Sequence, residues 1–263
     1  MQSTNLSLHN AVHSPLHQNY FFEWLTWMAY FIFALATPWG ILAIISPAVI
    51  LYLLLRVTGV PNNEEQNLRS KPVAYKKAID FLEQRVEKVH ANLDDELIWI
   101  LEHDSVYTKG ISATDKDLLI PGLFPVIETN RGGKFTYHGP GQKIVYFVIN
   151  LNKREKEIKK FVRNVEKWII AILNDFNISS YADPKNIGIW VKKNNEENKI
   201  AAIGIKVKKW IAYHGFSINI NVNKSDYRGI IPCGISNKGI INISDLCKVP
   251  NDERINKSIK ENF

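Results

Sequence analysis

Cysteine is scarce in this chain: 263 residues carry two, Cys233 and Cys247. Two thiols are too few for a disulfide framework, and their number fits a reducing compartment where one free thiol can do chemistry. They stand 14 residues apart among scattered histidines, a spacing that matches no zinc-ligand pattern. No glycine-rich stretch closes on Gly-Lys-Ser/Thr, which excludes a phosphate loop of the nucleotide-binding type. The dinucleotide fingerprint is missing as well. There is no internal repeat and no low-complexity tract. From Phe21 to Leu55 neither lysine nor arginine occurs, and Glu23 is the only charge.

That uncharged span is long enough for one membrane helix, or for two short ones broken near Thr37-Pro38-Trp39-Gly40. Tyr20, Phe21, Phe22, Trp24, Trp27 and Tyr30 crowd its first half, as aromatics do at a membrane interface. The competing reading is a buried helical hairpin. No basic residue leads the chain, which argues against a cleaved signal peptide. Arg56, Arg69, Lys71, Lys76 and Lys77 come after the span and none precedes it, so by the positive-inside rule the remainder faces the cytoplasm.

From Val73 onward the chain has the texture of a globular α/β domain. Overall 46% of residues are hydrophobic and 22% charged, which excludes global disorder. The net charge of +7 favours an acidic partner, although runs such as Lys206, Lys208 and Lys209 also read as a solvated surface. Apolar residues at helical spacing predict an amphipathic helix over Tyr75–His90 and another over Glu157–Asn174. Short apolar runs at 96–101, 124–128, 145–149, 188–191, 200–207 and 217–222 predict strands. Helices mixed with many short strands define a mixed α/β or α+β class.

The chemistry concentrates in three places. Ile231-Pro232-Cys233-Gly234 presents a thiol on a rigid turn, and Arg131-Gly132-Gly133-Lys134-Phe135-Thr136-Tyr137-His138-Gly139-Pro140-Gly141-Gln142 is a glycine-rich polar block whose backbone can approach a ligand closely. Lys199-Ile200-Ala201-Ala202-Ile203-Gly204 places a lysine ahead of a run of small and apolar residues. A free thiol titrates near ~8.5. An ammonium ~4 Å away, at an effective dielectric of ~20, stabilises the thiolate by about 4 kcal/mol. Lys199 supplies that charge if the fold brings it to Cys233. His138 and His214 are alternative bases, because a cysteine–histidine dyad is equally sound chemistry. Cys247, in a polar C-terminal segment, is read as non-catalytic.

Two resemblances add to this reading. His17–Trp24, Leu54–Pro61 and Glu64–Lys71 resemble the C-terminal end of steroid-reductase-like bacterial membrane proteins, over about residues 12–72. Most of that family's length is missing, so no reductase activity is carried over. The Arg131–Gln142 block, Gly188-Ile189-Trp190-Val191, Lys199–Gly204, His214-Gly215 with Asn219, and Pro232-Cys233-Gly234 resemble the lipoyl(octanoyl) transferases in order and spacing. Together the two imply an N-terminal hydrophobic, membrane-associated segment at 1–72 and a catalytic domain at 73–263. The second implies an α+β fold like that of biotin and lipoate ligases, a mixed sheet flanked by helices.

It further implies that Cys233 is the acyl-thioester nucleophile and Lys199 its proton-handling partner. Arg131, Gly132, Gly133, Lys134, Phe135, Thr136, Tyr137 and His138 would bind substrate, together with Ala202, Ile203 and Gly204, and with Gly215, Phe216 and Ser217. The donor implied is octanoyl-acyl carrier protein. The implied acceptors are lipoyl domains of 2-oxoacid dehydrogenases and the glycine-cleavage protein, with no metal, cofactor or ATP. Ile241-Asn242 departs from the family's Thr-Ser pair, which puts acyl chain length in question. The alternatives are an ATP-dependent lipoate or biotin ligase on the same fold, or a catalytically degenerate membrane-fused binding protein. Nucleic-acid binding ranks last, since the basic residues form no known module.

Overall fold

The computed structural model describes residues 72–232 and 238–263. The chain separates into Met1–Gln66 and Asn67–Phe263, and every described residue belongs to the second unit. The apolar stretch 21–55 and the helices expected of it lie outside the described residues, as does Cys233. Among the described residues no helix is long and apolar enough to cross a membrane.

In chain order the regular elements are α1 (Tyr75–His90), β1 (Leu97–Leu101), β2 (Val106–Lys109), β3 (Val126–Glu128), β4 (Thr136–His138), β5 (Gln142–Asn150), α2 (Ile158–Asn174), β6 (Tyr181–Asp183), β7 (Asn186–Lys193), β8 (Glu196–Lys208), β9 (Ile211–Asn219), β10 (Gly239–Ile240) and α3 (Asp252–Glu261). A seven-stranded sheet runs β1-β5-β9-β8-β7-β6, with β10 added to β8; a smaller sheet runs β3-β2-β4. Both are mixed, because β10 joins β8 and β3 joins β2 in parallel while the other pairs are antiparallel.

Alternation along β5 explains the layers. Ile144, Tyr146 and Val148 point to one face, where α1 covers them with Ala78, Leu82, Val86 and Val89. Val145, Phe147 and Ile149 point to the other, onto Val165, Trp168, Ile169 and Ile172 of α2 and Ile255 and Ile259 of α3. Each such side chain, fully buried, contributes about 1.5–3 kcal/mol. Because both faces of β5 are covered, all nine of its residues are buried. Helices α1 and α2 both stop at an asparagine in the left-handed region, Asn92 (φ 55°) and Asn177 (φ 60°). The next amide in each case returns to a carbonyl five residues back, Leu93 to Lys88 and Ile178 to Leu173, which closes the last turn.

The α+β class and both long helices match the sequence pattern. The strand expected over 217–222 differs: it begins at Ile211 and ends at Asn219. Its start is set by a two-residue turn at Lys209 (φ 53°) and Trp210 (φ 62°), a turn type usually marked by glycine or asparagine and here by neither. Its end is set where the amides of Ile220 and Asn221 both turn to the Gly141 carbonyl. The glycine block is not all loop, since Thr136–His138 pairs with β2 as β4.

Candidate active site

A cavity of about 690 Å³ opens along β8 and is walled by the Arg131 loop, the start of α2 and residues 185–187 before and within β7. Lys199 stands at its β7 end, only 4% exposed. Its Nζ donates to the Ile187 carbonyl at 3.2 Å and lies 4.7 Å from the Trp190 ring centre. Gly188 (φ 132°) makes room for it: a Cβ there would sit 3.1 Å from Lys199 Cε and 2.9 Å from the Ala201 carbonyl. Among the described residues no carboxylate pairs with Lys199; the nearby Asp183 and Glu197 are taken by Lys238, at 3.3 and 2.8 Å. A buried ammonium without an anion is costly unless one arrives with the chemistry. Lys238 Nζ also caps the Trp190 ring, at 4.4 Å. The first residue described after 233–237 therefore shares that indole with Lys199.

The glycine block folds around Arg131. Its guanidinium donates to the Thr108 carbonyl and hydroxyl at 2.9 and 2.6 Å, to the Lys134 carbonyl at 2.9 Å and to the Gly132 carbonyl at 2.9 Å. Gly110 permits this closeness, because a Cβ there would collide with the Gly133 carbonyl. Arg131 is 7% exposed, and its Nε has no partner among the described residues. Lys134 reaches Asp117 at 3.3 Å.

Beyond Arg131 lies a buried cluster of rings. His103 Nδ1 donates to the Val73 carbonyl at 2.5 Å, and its Nε2 accepts from the Tyr146 hydroxyl at 2.8 Å. His138 Nδ1 donates to the Gln142 amide oxygen at 2.7 Å, and Gln142 in turn donates to Asn219 and Tyr227. Burial pushes the His103 imidazole down to about 4 and both His138 and His214 to about 3. Arg131 adds repulsion at His138 and His214, so all three rings stay neutral at pH 7. Burial likewise raises Tyr75 and Tyr146, with the Arg131 charge opposing it.

Of the residues singled out in the sequence, Lys199, Arg131, Gly132, Gly133, Lys134, Thr136, His138, Ala202, Ile203, Gly204, Gly215, Phe216 and Ser217 line this one cavity. Phe135 and Tyr137 do not. Period-2 alternation along β4 turns them away, into a separate cluster with Tyr107, Val222, Tyr227 and Ile230. Ile241 and Asn242 also lie off the cavity. Ile241 is in the main core, and Asn242 exchanges hydrogen bonds with the Val222 backbone at 2.8 and 3.2 Å. Cys247 is half-buried against the core. Tyr75, Ile144, Tyr146 and Ile187 line the cavity without having been singled out. Their spacing marks helix or strand and nothing more.

The mixed sheet with helices on both faces that carries this cavity has the lipoate-ligase type of fold. A bipartite lipoate protein ligase from Thermoplasma acidophilum, described together with its E2 lipoyl domain, superposes with a TM-score of 0.55, covering 67% of this chain and 74% of that one at 12% identity. A lipoate-protein ligase A bound with ATP gives 0.54 over 67% and 76% at 12% identity. At such identity the likeness concerns the fold alone. Sequence relatives are nearer. The octanoyltransferase of Ehrlichia chaffeensis is 47% identical over 69% of this chain and 86% of its own length. That of Ehrlichia ruminantium is 49% identical over 69% and 88%, and that of Bartonella tribocorum 48% over 66% and 75%. The lipoyl protein ligase A/B catalytic domain matches residues 74–263, and a protein family of unknown function, DUF1295, matches 14–80. The chain belongs to the lipoyl protein ligase A/B catalytic domain family, among its octanoyltransferases.

Proposed function

We propose that this protein moves an octanoyl group from a carrier thioester to a lysine of lipoyl-dependent proteins, an acyltransferase acting through Cys233. The observation that carries the reading is Lys199: a buried ammonium with no carboxylate among the described residues, opening on a cavity in a chain that is 47–49% identical to octanoyltransferases over 183 residues. In the first half-reaction the Cys233 sulfur attacks the donor carbonyl. A carbon–sulfur bond forms to Cys233, the carrier's carbon–sulfur bond breaks, and the carrier thiol leaves with the proton. In the second, the amine of the target lysine attacks the acyl-cysteine. A carbon–nitrogen bond forms, the acyl carbon–sulfur bond breaks, and the amine proton passes by way of Lys199 to the departing Cys233 sulfur, which restores the thiol. One thioester replaces another at little energy change and the final amide drives the reaction, so ATP has no part in it.

The donor in this reading is octanoyl-acyl carrier protein. The acceptors are lipoyl domains of 2-oxoacid dehydrogenases and the glycine-cleavage protein. A net charge of +7 suits the approach of an acidic carrier. The test is intact mass after mixing the protein with octanoyl carrier and no nucleotide. An added octanoyl group, passed on when a lipoyl domain is then supplied, is expected. Transfer that starts only on adding ATP and free acid would make the protein a ligase instead.

The apolar stretch 21–55 tethers this domain to a membrane, with the domain on the cytoplasmic side. Fractionation of cells expressing the full chain or residues 73–263 checks this. The full chain is expected with the membranes and the fragment, still active, in the supernatant; equal partition would remove the tether.

A further inference from the structure

His214 sits in the middle of β9, paired with Phe147 on one side and Ile205 on the other, yet its φ is +68°. A non-glycine residue seldom adopts that conformation inside a strand, and such outliers gather at functional sites. The next residue shows how far the pleat is bent: a Cβ on Gly215 would collide with the Val145 carbonyl. Regular alternation would place His214 beside Ala212 and Phe216, in the core under α2. Instead its ring stacks on Tyr213 at 4.8 Å and meets Tyr146 edge-on at 6.4 Å, both on the α1 side, and the residue is among those lining the cavity. It is 1% exposed, and neither ring nitrogen has a hydrogen-bond partner among the described residues. Arg131 Nε is equally buried and unpartnered among them, and Arg131 Cδ lies 3.2 Å from where a Cβ on Gly204 would be.

Distance gives these orphaned nitrogens a meaning. Lys199 Nζ lies beside Gly188, one step before the Ile189↔Ala201 pair, whereas His214 pairs with Ile205. Three to four residues of extended strand separate the two levels, about 10–13 Å. An eight-carbon acyl chain has seven carbon–carbon bonds of ~1.5 Å, which the zigzag shortens to about 9 Å. Resting on the octanoyl-transfer reading, we propose that His214 and Arg131 form a polar end wall that sets acyl chain length. With its carbonyl at the Lys199 end, an octanoyl chain stops short of this wall. Two further carbons press hydrocarbon onto buried nitrogens that no described group satisfies, and hydrocarbon cannot supply the missing partner.

The experiment compares kcat/KM for eight- and ten-carbon acyl carriers in three proteins. In His214→Gly, which accepts φ +68° without strain, the ten-to-eight ratio is expected to rise at least ten-fold. In His214→Asn, which tolerates the same backbone and keeps a polar tip, it is expected to stay near the wild-type value. An unchanged ratio in the glycine variant overturns the wall, and so does an equal rise in both variants, which would make the effect one of volume alone. Should neither variant fold, the wild-type protein decides. A ten-carbon chain ending in a hydroxyl, which can satisfy the nitrogens, is expected to react about ten-fold faster than plain decanoyl; equal rates overturn the proposal. Wild-type protein that accepts every length equally removes the wall alone. Wild-type protein that accepts no acyl carrier removes the transfer reading beneath it.

Discussion

Cys233→Ala is expected to take up no octanoyl group by intact mass and to lose transfer by at least ~10⁴-fold, since removing a nucleophile leaves only binding and positioning. Lys199→Met is the informative companion. A lost proton-transfer partner costs about 10²–10⁴-fold, or roughly 3–5 kcal/mol of barrier, while the thiol itself remains. The methionine variant should therefore still acylate slowly. Its rate should climb with pH as an unassisted thiol ionises near ~8.5, whereas the wild-type rate has flattened by then. Stability separates chemistry from folding here. Lys199 is a buried ammonium with no carboxylate partner among the described residues, and replacing such a charge by an apolar side chain of similar length is often neutral or stabilising. A melting temperature at or above the wild-type value, with activity lost, is the expected pair of results. Full activity in either variant would exclude the dyad.

Acid should unfold this domain early. His103, His138 and His214 are buried and neutral, held down to about 4, about 3 and about 3, against ~6.5 in an unfolded chain. Above pH 6.5 neither state binds the extra proton, so these histidines leave stability unchanged. As pH falls below 6.5 the unfolded chain takes up protons that the folded chain refuses. Stability is lost from there down toward the folded values. Each ring costs about 1.4 kcal/mol per pH unit in that window, so three together remove on the order of 6 kcal/mol by pH 5. That is comparable with the whole stability of a typical domain. The carboxylates held low, Glu87 and Asp183 at about 2, lose their contribution only below about pH 4.5 and do not produce this loss. Urea midpoints measured from pH 7.5 to 5 should fall steeply, and His103→Gln should flatten the slope by about a third. A flat profile would mean that the histidines protonate in place.

Much of the site was legible in one dimension. The Arg131–His138 block stood out for its glycines among polar residues, and Lys199 as a lysine ahead of a run of small and apolar residues that resembles the transferase motif. Apart from Phe135 and Tyr137, they line one cavity. The helices were legible because α1 and α2 bury one stripe each at the helical period. Other features left no local mark. The turn at Lys209-Trp210 carries neither glycine nor asparagine. β4 is three residues long and hidden in the glycine block, and the alternation that sends Phe135 and Tyr137 away from the cavity depends on that strand existing. Tyr75 and Tyr146 read as ordinary helix and strand residues, although both line the cavity.

The order of motifs and the two amphipathic helices come from residue type and spacing, which act over a few positions and need no folded partner. Which groups face each other does not. Lys199 meets Gly188 and Trp190 through a pairing of β7 with β8, and the three neutral histidines come from strands or loops 35 to 111 residues apart. Only the folded sheet, by excluding water from all of them at once, turns a lysine into a buried charge without a described anion and His214 into a ring without a described hydrogen bond. Burial and cross-strand register are properties of the whole chain, so tertiary structure alone decided them.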